Sequence, residues 1–190
     1  KRPLGCTYNP DIILTSGSVS QSILKKSKAL INTKIICIGS SKYQKPKKFK
    51  DKIACCLVIP QGTLKECICL FELSLTYAKK NKRQRFIWRL HPLISFKKLK
   101  KISGIFKNLP YNINLSERDL KEDIEECDSV LYRGSTAVVS ALNAGLKPIY
   151  YQKTIDELII DPTYQKRKGK EIILNQRDLK LALNKKLDLK

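Results

Sequence analysis

Two short stretches of the sequence combine groups that bind phosphate. RLHP, residues 89–92, holds the only histidine of the chain, and RGST, residues 133–136, follows a second apolar run. Arginine and histidine supply charge or hydrogen bonds, serine and threonine supply hydroxyl donors, and glycine lets a ligand approach the backbone. The candidate anion-binding residues are Arg89, His91, Pro92, Arg133, Gly134, Ser135 and Thr136.

Both stretches follow strands of a predicted parallel sheet. From residue 53 onward, apolar runs alternate with helical patterns, which indicates β-α-β units in a doubly wound, Rossmann-like α/β fold. Ligands of such sheets bind beyond the carboxyl ends of the strands, and a helix beginning near Thr136 would present free N–H groups to an anion. We therefore expect one phosphate cradle, in which Pro92 fixes the turn that aims His91.

The composition divides the chain into three parts. Residues 1–41 show a strand-helix-strand pattern, with Ser18 or Ser20 as the helix cap, and predict the C-terminal end of an N-terminal α/β domain. Residues 42–52 contain six lysines and no apolar periodicity, which is typical of a solvated linker. Residues 53–190 predict the Rossmann-like domain. Because the first residue is not methionine, we expect a fragment or a processed piece of a longer protein.

Each candidate feature also has a purely structural interpretation. A histidine before proline is typical of a turn, and Ser-Thr at a helix start is typical of capping. The residues GTLKE, 62–66, form a glycine turn that matches no phosphate-loop motif. Glu66, Glu72 and the acidic group at 121–126 are interpreted as solvated helix faces. The shared position of RLHP and RGST at one sheet edge favours the ligand-binding interpretation.

The net charge of +21 is compatible with three anionic partners: nucleic acid, a membrane surface or a small substrate. The same charge also suits a lysine-rich bias of an AT-rich coding sequence. No apolar run reaches the length of a membrane span, and the N-terminus lacks the core of a signal peptide. We expect a cytoplasmic protein, with peripheral contact to the inner membrane as a further option.

The seven cysteines do not form a metal-binding pattern. Most lie in apolar runs, none shows C-x-x-C spacing, and the chain has a single histidine. Unpaired cysteines of this kind indicate a reducing compartment. We therefore predict no metal and no other cofactor.

The order of the two stretches resembles the C-terminal nucleotide-binding half of GT-B glycosyltransferases. RLHP followed by DSVLYRGSTAVVSALNAGLKPIYY, 128–151, is similar to bacterial sialyltransferases, Kdo transferases and CDP-glycerol glycerophosphotransferases. Those enzymes carry a His-Pro motif and a later Ser-Ser/Thr motif that contact the nucleotide phosphate. His91 with Pro92 match the first motif, and Ser135 with Thr136 match the second. The resemblance covers residues 53–151, and more loosely residues 11–41.

The resemblance implies part of a glycosyltransferase for bacterial capsule or lipopolysaccharide synthesis. Its donor would be a nucleotide sugar, with a CMP-linked donor favoured, and its acceptor a glycan or a lipid-linked glycan. His91 would be the catalytic residue, because it would stabilise the leaving nucleotide phosphate. The catalytic base of this family normally lies in the N-terminal domain, so we expect the chain to be inactive without that domain.

Two other functions stay open at this point. A sugar-nucleotide epimerase of the same fold would need acid and base residues around the sugar, which the sequence does not identify. A nucleic-acid-binding module would need aromatic residues among the basic ones. The basic runs KKNKRQR and KKLKK lack such aromatic residues, which disfavours nucleic acid as the partner.

Overall fold

The computed structural model describes residues 9–40, 50–51, 53–154, 160–163 and 169–185. The chain divides into two units, residues 1–44 and 45–190. Most of the predicted linker, 42–52, lies outside the described residues, so the domain limits stay a prediction. No helix in the described parts of the chain combines the length and apolarity needed to cross a bilayer.

The first unit is a small β-α-β element. Its parts are β1 (Ile12–Thr15), α1 (Ser18–Lys25), a 3-10 turn (Lys28–Leu30) and β2 (Lys34–Cys37). β1 and β2 are parallel. This confirms the predicted strand-helix-strand order, but the predicted serine cap is wrong. Gly17 is the N-cap and no side chain caps the helix, because Ser18 is already its first residue.

The second unit alternates strands and helices from Cys55 to Tyr151. The strands are β3 (Cys55–Ile59), β4 (Arg85–Arg89), β5 (Ile113–Ser116), β6 (Ser129–Tyr132), β7 (Lys147–Tyr151) and β8 (Glu171–Ile173). The helices are α2 (Leu64–Lys80), α3 (Phe96–Ile102), α4 (Leu120–Glu126), α5 (Val138–Asn143) and α6 (Gln176–Asn184), with a 3-10 turn at Gly104–Phe106. All six strands are parallel, in the order β5-β4-β3-β6-β7-β8. This confirms the predicted Rossmann-like α/β sheet.

The strand order reverses between β3 and β6. The chain builds outward from β3 through β4 to β5, then crosses back to β6 and builds outward through β7 to β8. In an open parallel sheet, the crevice outside the carboxyl ends of the strands at such a reversal is the usual ligand site. The turns after β3 and β6 flank this crevice, and the turn after β4 lies next to them.

Two apolar layers hold the strand ends in place. On one side of the sheet, Trp88 of β4 stacks on Phe71 of α2 with ring centroids 4.3 Å apart. Its Nε1–H donates to Ser74 Oγ at 2.9 Å, so the indole has no unsatisfied donor. On the other side, Tyr132 of β6 packs in a second cluster with Val138 of α5. Burial of each large side chain contributes about 1.5–3 kcal/mol, so β4 and β6 are firmly fixed where their turns begin.

Local backbone geometry sets the ends of α3, α4 and α5. α3 ends at Ile102, and the chain becomes extended at Ser103 before the 3-10 turn. α5 begins at Val138 rather than Thr136, because Val138 and Val139 donate to carbonyls three residues earlier and form a tight turn there. Asp119 is the N-cap of α4 without a side-chain cap bond, and the Ser116 hydroxyl donates to Asp123 at 2.6 Å.

Candidate anion-binding site

Three turns meet at the reversal point of the sheet. They are residues 60–63 after β3, residues 90–94 after β4 and residues 133–137 after β6. The parent strands are adjacent in the order β4-β3-β6. The structure therefore brings the RLHP and RGST stretches to the same edge, with the turn after β3 between them.

The imidazole of His91 packs against the backbone of Gly62. A Cβ placed on Gly62 would lie 3.0 Å from His91 Nδ1 and 3.1 Å from Cε1, so a larger residue here would displace the imidazole by a few tenths of an ångström. The Leu93 N–H donates to His91 Nδ1 at 3.3 Å, and the His91 carbonyl accepts from Ile94 at 2.8 Å. With Nδ1 as an acceptor, a neutral ring carries its proton on Nε2. His91 thus has a turn role, and the same turn orients its remaining donor.

Gly134 is enclosed by side chains from two other segments. A Cβ on Gly134 would collide with Gln61 Oε1 and would lie 2.9 Å from Ile160 Cδ1. Gln61 itself is exposed and belongs to the turn after β3. The turns after β3 and β6 are therefore in contact, and a larger residue at 134 would displace the Gln61 side chain.

Glu66 joins the same two turns and was missed by the sequence analysis. Its side chain is buried, and Oε1 accepts from the backbone N–H of Gln61 at 2.8 Å and of Gly134 at 3.3 Å. The interpretation of Glu66 as a solvated residue is wrong. The spacing Thr63-x-x-Glu66 was a usable signal, since it matches a capping box and Thr63 Oγ1 does accept from Glu66 N. The carboxylate, however, reaches across the crevice.

Three backbone donors of the turn after β6 have no acceptor among the described residues. Within the described part of the chain, no group accepts from the N–H of Ser135, Thr136 or Ala137. The hydroxyls of Ser135 and Thr136 likewise have no hydrogen bond to a described residue. Since Glu66 takes the N–H of Gly134, the donors available to an anion here begin at Ser135. α5 is short, so individual N–H and O–H groups, and not a helix dipole, would bind an anion here.

Arg89 has a structural partner in α4. Its Nη1 donates to Asp123 Oδ2 at 2.9 Å, and the side chain of Asp123 is fully buried. Ser116 and Arg118 bond to the same carboxylate. The sequence context of Asp123 suggested a solvated helix face, and this interpretation is wrong. Arg89 holds α4 against the sheet through the Asp123 carboxylate. A phosphate would have to compete with this buried carboxylate for Arg89.

Arg133, another of the predicted residues, is half-buried in the turn after β6. Pro92 is exposed in the turn after His91. Both lie in turns that border the crevice, as the sequence predicted. Their contribution to ligand binding stays a prediction.

A buried polar network centred on Asp161 lies next to the turn after β6. The Asp161 carboxylate accepts from Lys170 Nζ at 2.8 Å, with side chains 1% and 11% exposed. Tyr132, directly before Arg133, donates its hydroxyl to Asp161, and Thr163 donates both its N–H and its hydroxyl. Burial raises the pKa of Tyr132, so its hydroxyl keeps its proton. These bonds fix residues 160–163, and with them the Ile160 side chain, beside Gly134.

The described cysteines are free and lie outside this set of contacts, with one exception. Cys67 follows Glu66 in α2 and contacts the Gln61 carbonyl through its thiol at 3.6 Å. Burial, together with the neighbouring Glu66 charge, raises the pKa of Cys67 to about 12. Cys67 is thus a protonated, apolar filler behind the turn. Across the described residues, no cluster of three or more His, Cys, Asp or Glu side chains could hold a metal ion.

No protein-family model matches the chain, and no curated protein sequence matches it. The resemblance to GT-B glycosyltransferases therefore stays a hypothesis that rests on the two motifs. The structure shows the geometry of the three turns after β3, β4 and β6.

Proposed function

We propose that this chain is the nucleotide-sugar-binding part of a GT-B glycosyltransferase that uses a CMP-linked donor. One observation carries the proposal: the two motif-bearing turns, around His91 and around Ser135, flank the Gly62 turn at the reversal point of the parallel sheet. This is where open α/β sheets bind nucleotides. The motif order supports the enzyme class, and the preference for CMP comes from the resemblance alone.

The crevice offers a phosphate complementary donors from two sides. His91 presents Nε2–H from the turn after β4, and the N–H and O–H groups of Ser135 and Thr136 approach from the turn after β6. Donors held in place before the reaction stabilise charge that develops on a leaving phosphate without reorganising. His91 therefore acts on the leaving nucleotide, and Ser135 and Thr136 bind it.

Glu66 has a positioning role in this arrangement. Its carboxylate ties Gln61 to Gly134, so the gap between the two turns is set by protein bonds and not by the ligand. A site that is held in its binding geometry loses less entropy on binding. The capsule or lipopolysaccharide acceptor, a glycan or a lipid-linked glycan, would bind on the open side of the crevice.

Calorimetric titration with CMP, UMP and cytidine tests the proposal. Wild type should bind CMP more tightly than cytidine, because cytidine has no phosphate. His91→Ala removes one charge-assisted hydrogen bond worth about 1.5–3 kcal/mol, which is about ten- to hundredfold in CMP affinity. The loss should be absent for cytidine.

The double variant Ser135→Ala/Thr136→Ala should also weaken CMP binding. Ser140→Ala is its matched control, since Ser140 is exposed on α5 behind the turn. Equal CMP affinities of all these proteins would remove the phosphate role of both motifs. Tighter binding of UMP than of CMP would move the donor to the UDP-sugar class.

A further inference from the structure

A stretch of the sequence without acidic residues contains α3. Between Glu72 and Glu117 the sequence contains no aspartate or glutamate. Four lysines of α3 are exposed in this stretch, and two aliphatic side chains beside them expose 52% and 40% of their area. We call this the α3 surface, and its residues are Lys97, Lys98, Lys100, Lys101, Ile102 and Ile105.

The lysines of the α3 surface have no acidic partner among the described residues. Among the residues the structure describes, none of its lysines forms a salt bridge, whereas Lys170 and Lys185 elsewhere in the same unit do. The helix is nevertheless fixed, because Leu99 is fully buried and Ser95 caps the helix by accepting from Lys98 N. The lysines are thus held on one rigid, outward-facing element.

We propose that the α3 surface binds the surface of an anionic phospholipid bilayer. Lysine ammonium groups are attracted to lipid phosphates, and each basic group near the surface is worth about fivefold in partitioning. Exposed Ile102 and Ile105 can enter the boundary between lipid headgroups and acyl chains. Binding by charge attraction alone would not need such apolar side chains. A single-stranded nucleic acid would instead need aromatic stacking platforms, and the α3 surface presents aliphatic residues.

The α3 surface begins close to the candidate site. Leu93, two residues after His91 in the same β4–α3 connection, is 81% exposed. A bilayer docked on α3 would therefore lie near the rim of the crevice. The docking inference itself does not depend on the proposed transferase function, because it uses only exposure and charge.

Cosedimentation of the full chain with vesicles tests the proposal. The vesicles contain phosphatidylcholine and phosphatidylglycerol in equal parts, with pure phosphatidylcholine as the neutral comparison. The variant Lys97→Gln/Lys98→Gln/Lys100→Gln/Lys101→Gln should bind the anionic vesicles at least about tenfold more weakly. The matched control removes the same charge from exposed lysines of the first unit: Lys25→Gln/Lys26→Gln/Lys28→Gln/Lys34→Gln. It should change binding by less than about twofold.

A second variant separates insertion from simple charge attraction. Ile102→Ser/Ile105→Ser keeps every charge, and it should weaken vesicle binding most clearly at high salt, where charge attraction is screened. A thermal unfolding scan confirms that this variant is folded. Its binding to a single-stranded polynucleotide should equal that of wild type.

Several results would overturn the proposal. Absence of wild-type binding, equal binding to neutral and anionic vesicles, or equal losses in the two lysine variants would each do so. Polynucleotide binding that falls with the α3 lysines, while vesicle binding does not, would make this a nucleic-acid surface.

Discussion

Replacement of Glu66 tests whether one carboxylate holds the turns after β3 and β6 together. In Glu66→Ala, the backbone N–H groups of Gln61 and Gly134 both lose their acceptor. Both bonds are only part-buried, and a hydrogen bond to a charged group is worth about 1.5–3 kcal/mol. The bond to Gln61 is short, 2.8 Å, and the bond to Gly134 is longer, 3.3 Å, so the first should be near the top of that range. We expect a total loss of about 2–4 kcal/mol in the free energy of unfolding.

Glu66→Gln separates the hydrogen bonds from the charge. The amide oxygen can still accept from both N–H groups, but neutral hydrogen bonds are about half as strong as charge-assisted ones. We expect a loss of about 1 kcal/mol in stability. The CMP affinity of Glu66→Gln should equal or exceed that of wild type, since a negative charge near the phosphate is gone. The affinity of Glu66→Ala should fall, because the gap between the turns is no longer fixed.

Urea unfolding gives the stabilities, and calorimetry gives the affinities. Glu72→Ala is the matched control, since Glu72 lies on the same helix and its carboxylate bonds to no described residue. It should leave both quantities near the wild-type values. If Glu66→Ala were as stable as Glu72→Ala, Glu66 would not join the turns, and the account of the crevice would be wrong.

Two further predictions concern the network centred on Asp161. Asp161→Asn should lower the free energy of unfolding by about 3–5 kcal/mol, because Lys170 keeps its charge while losing a buried carboxylate. Adding Lys170→Met should recover part of this loss. An unchanged urea midpoint in Asp161→Asn would refute the network. The raised pKa of Tyr132 means that the unfolded chain releases this proton first, so stability should fall as pH rises above about 10. Tyr132→Phe should flatten that alkaline fall in urea unfolding, whereas Tyr111→Phe, at an 81% exposed position, should not; equal profiles would contradict the burial argument.

Local patterns were sufficient to predict the elements of the sheet. α2 runs from Leu64 to Lys80, and the helical spacing of its apolar residues lets one face of this helix pack on the sheet. The strands were predictable from short buried apolar runs for the same reason. The strand order, by contrast, depends on pairings between distant residues, and no local signal predicted that it would reverse between β3 and β6.

The candidate site was predictable only in part. The positions of His91 and Ser135 followed from strand ends, which are local features. The partners of Arg89 and Glu66 did not, because Asp123 and Gly134 are distant in sequence and only the folded chain brings them near. The sequence therefore showed where a charged side chain lies in an element. Whether that side chain is paired or solvated depends on tertiary contacts.

The most direct test of the central claim is an amide NMR titration of the full chain with CMP, with cytidine as the comparison. We predict that the largest shifts on adding CMP fall on residues 61–63, 91–94 and 134–137, the three turns at the reversal of the sheet. Cytidine should shift residues 135–137 far less, because their N–H groups meet the phosphate. Shifts confined to other parts of the chain, or none in these turns at saturating CMP, would contradict the assignment of the nucleotide phosphate to this crevice.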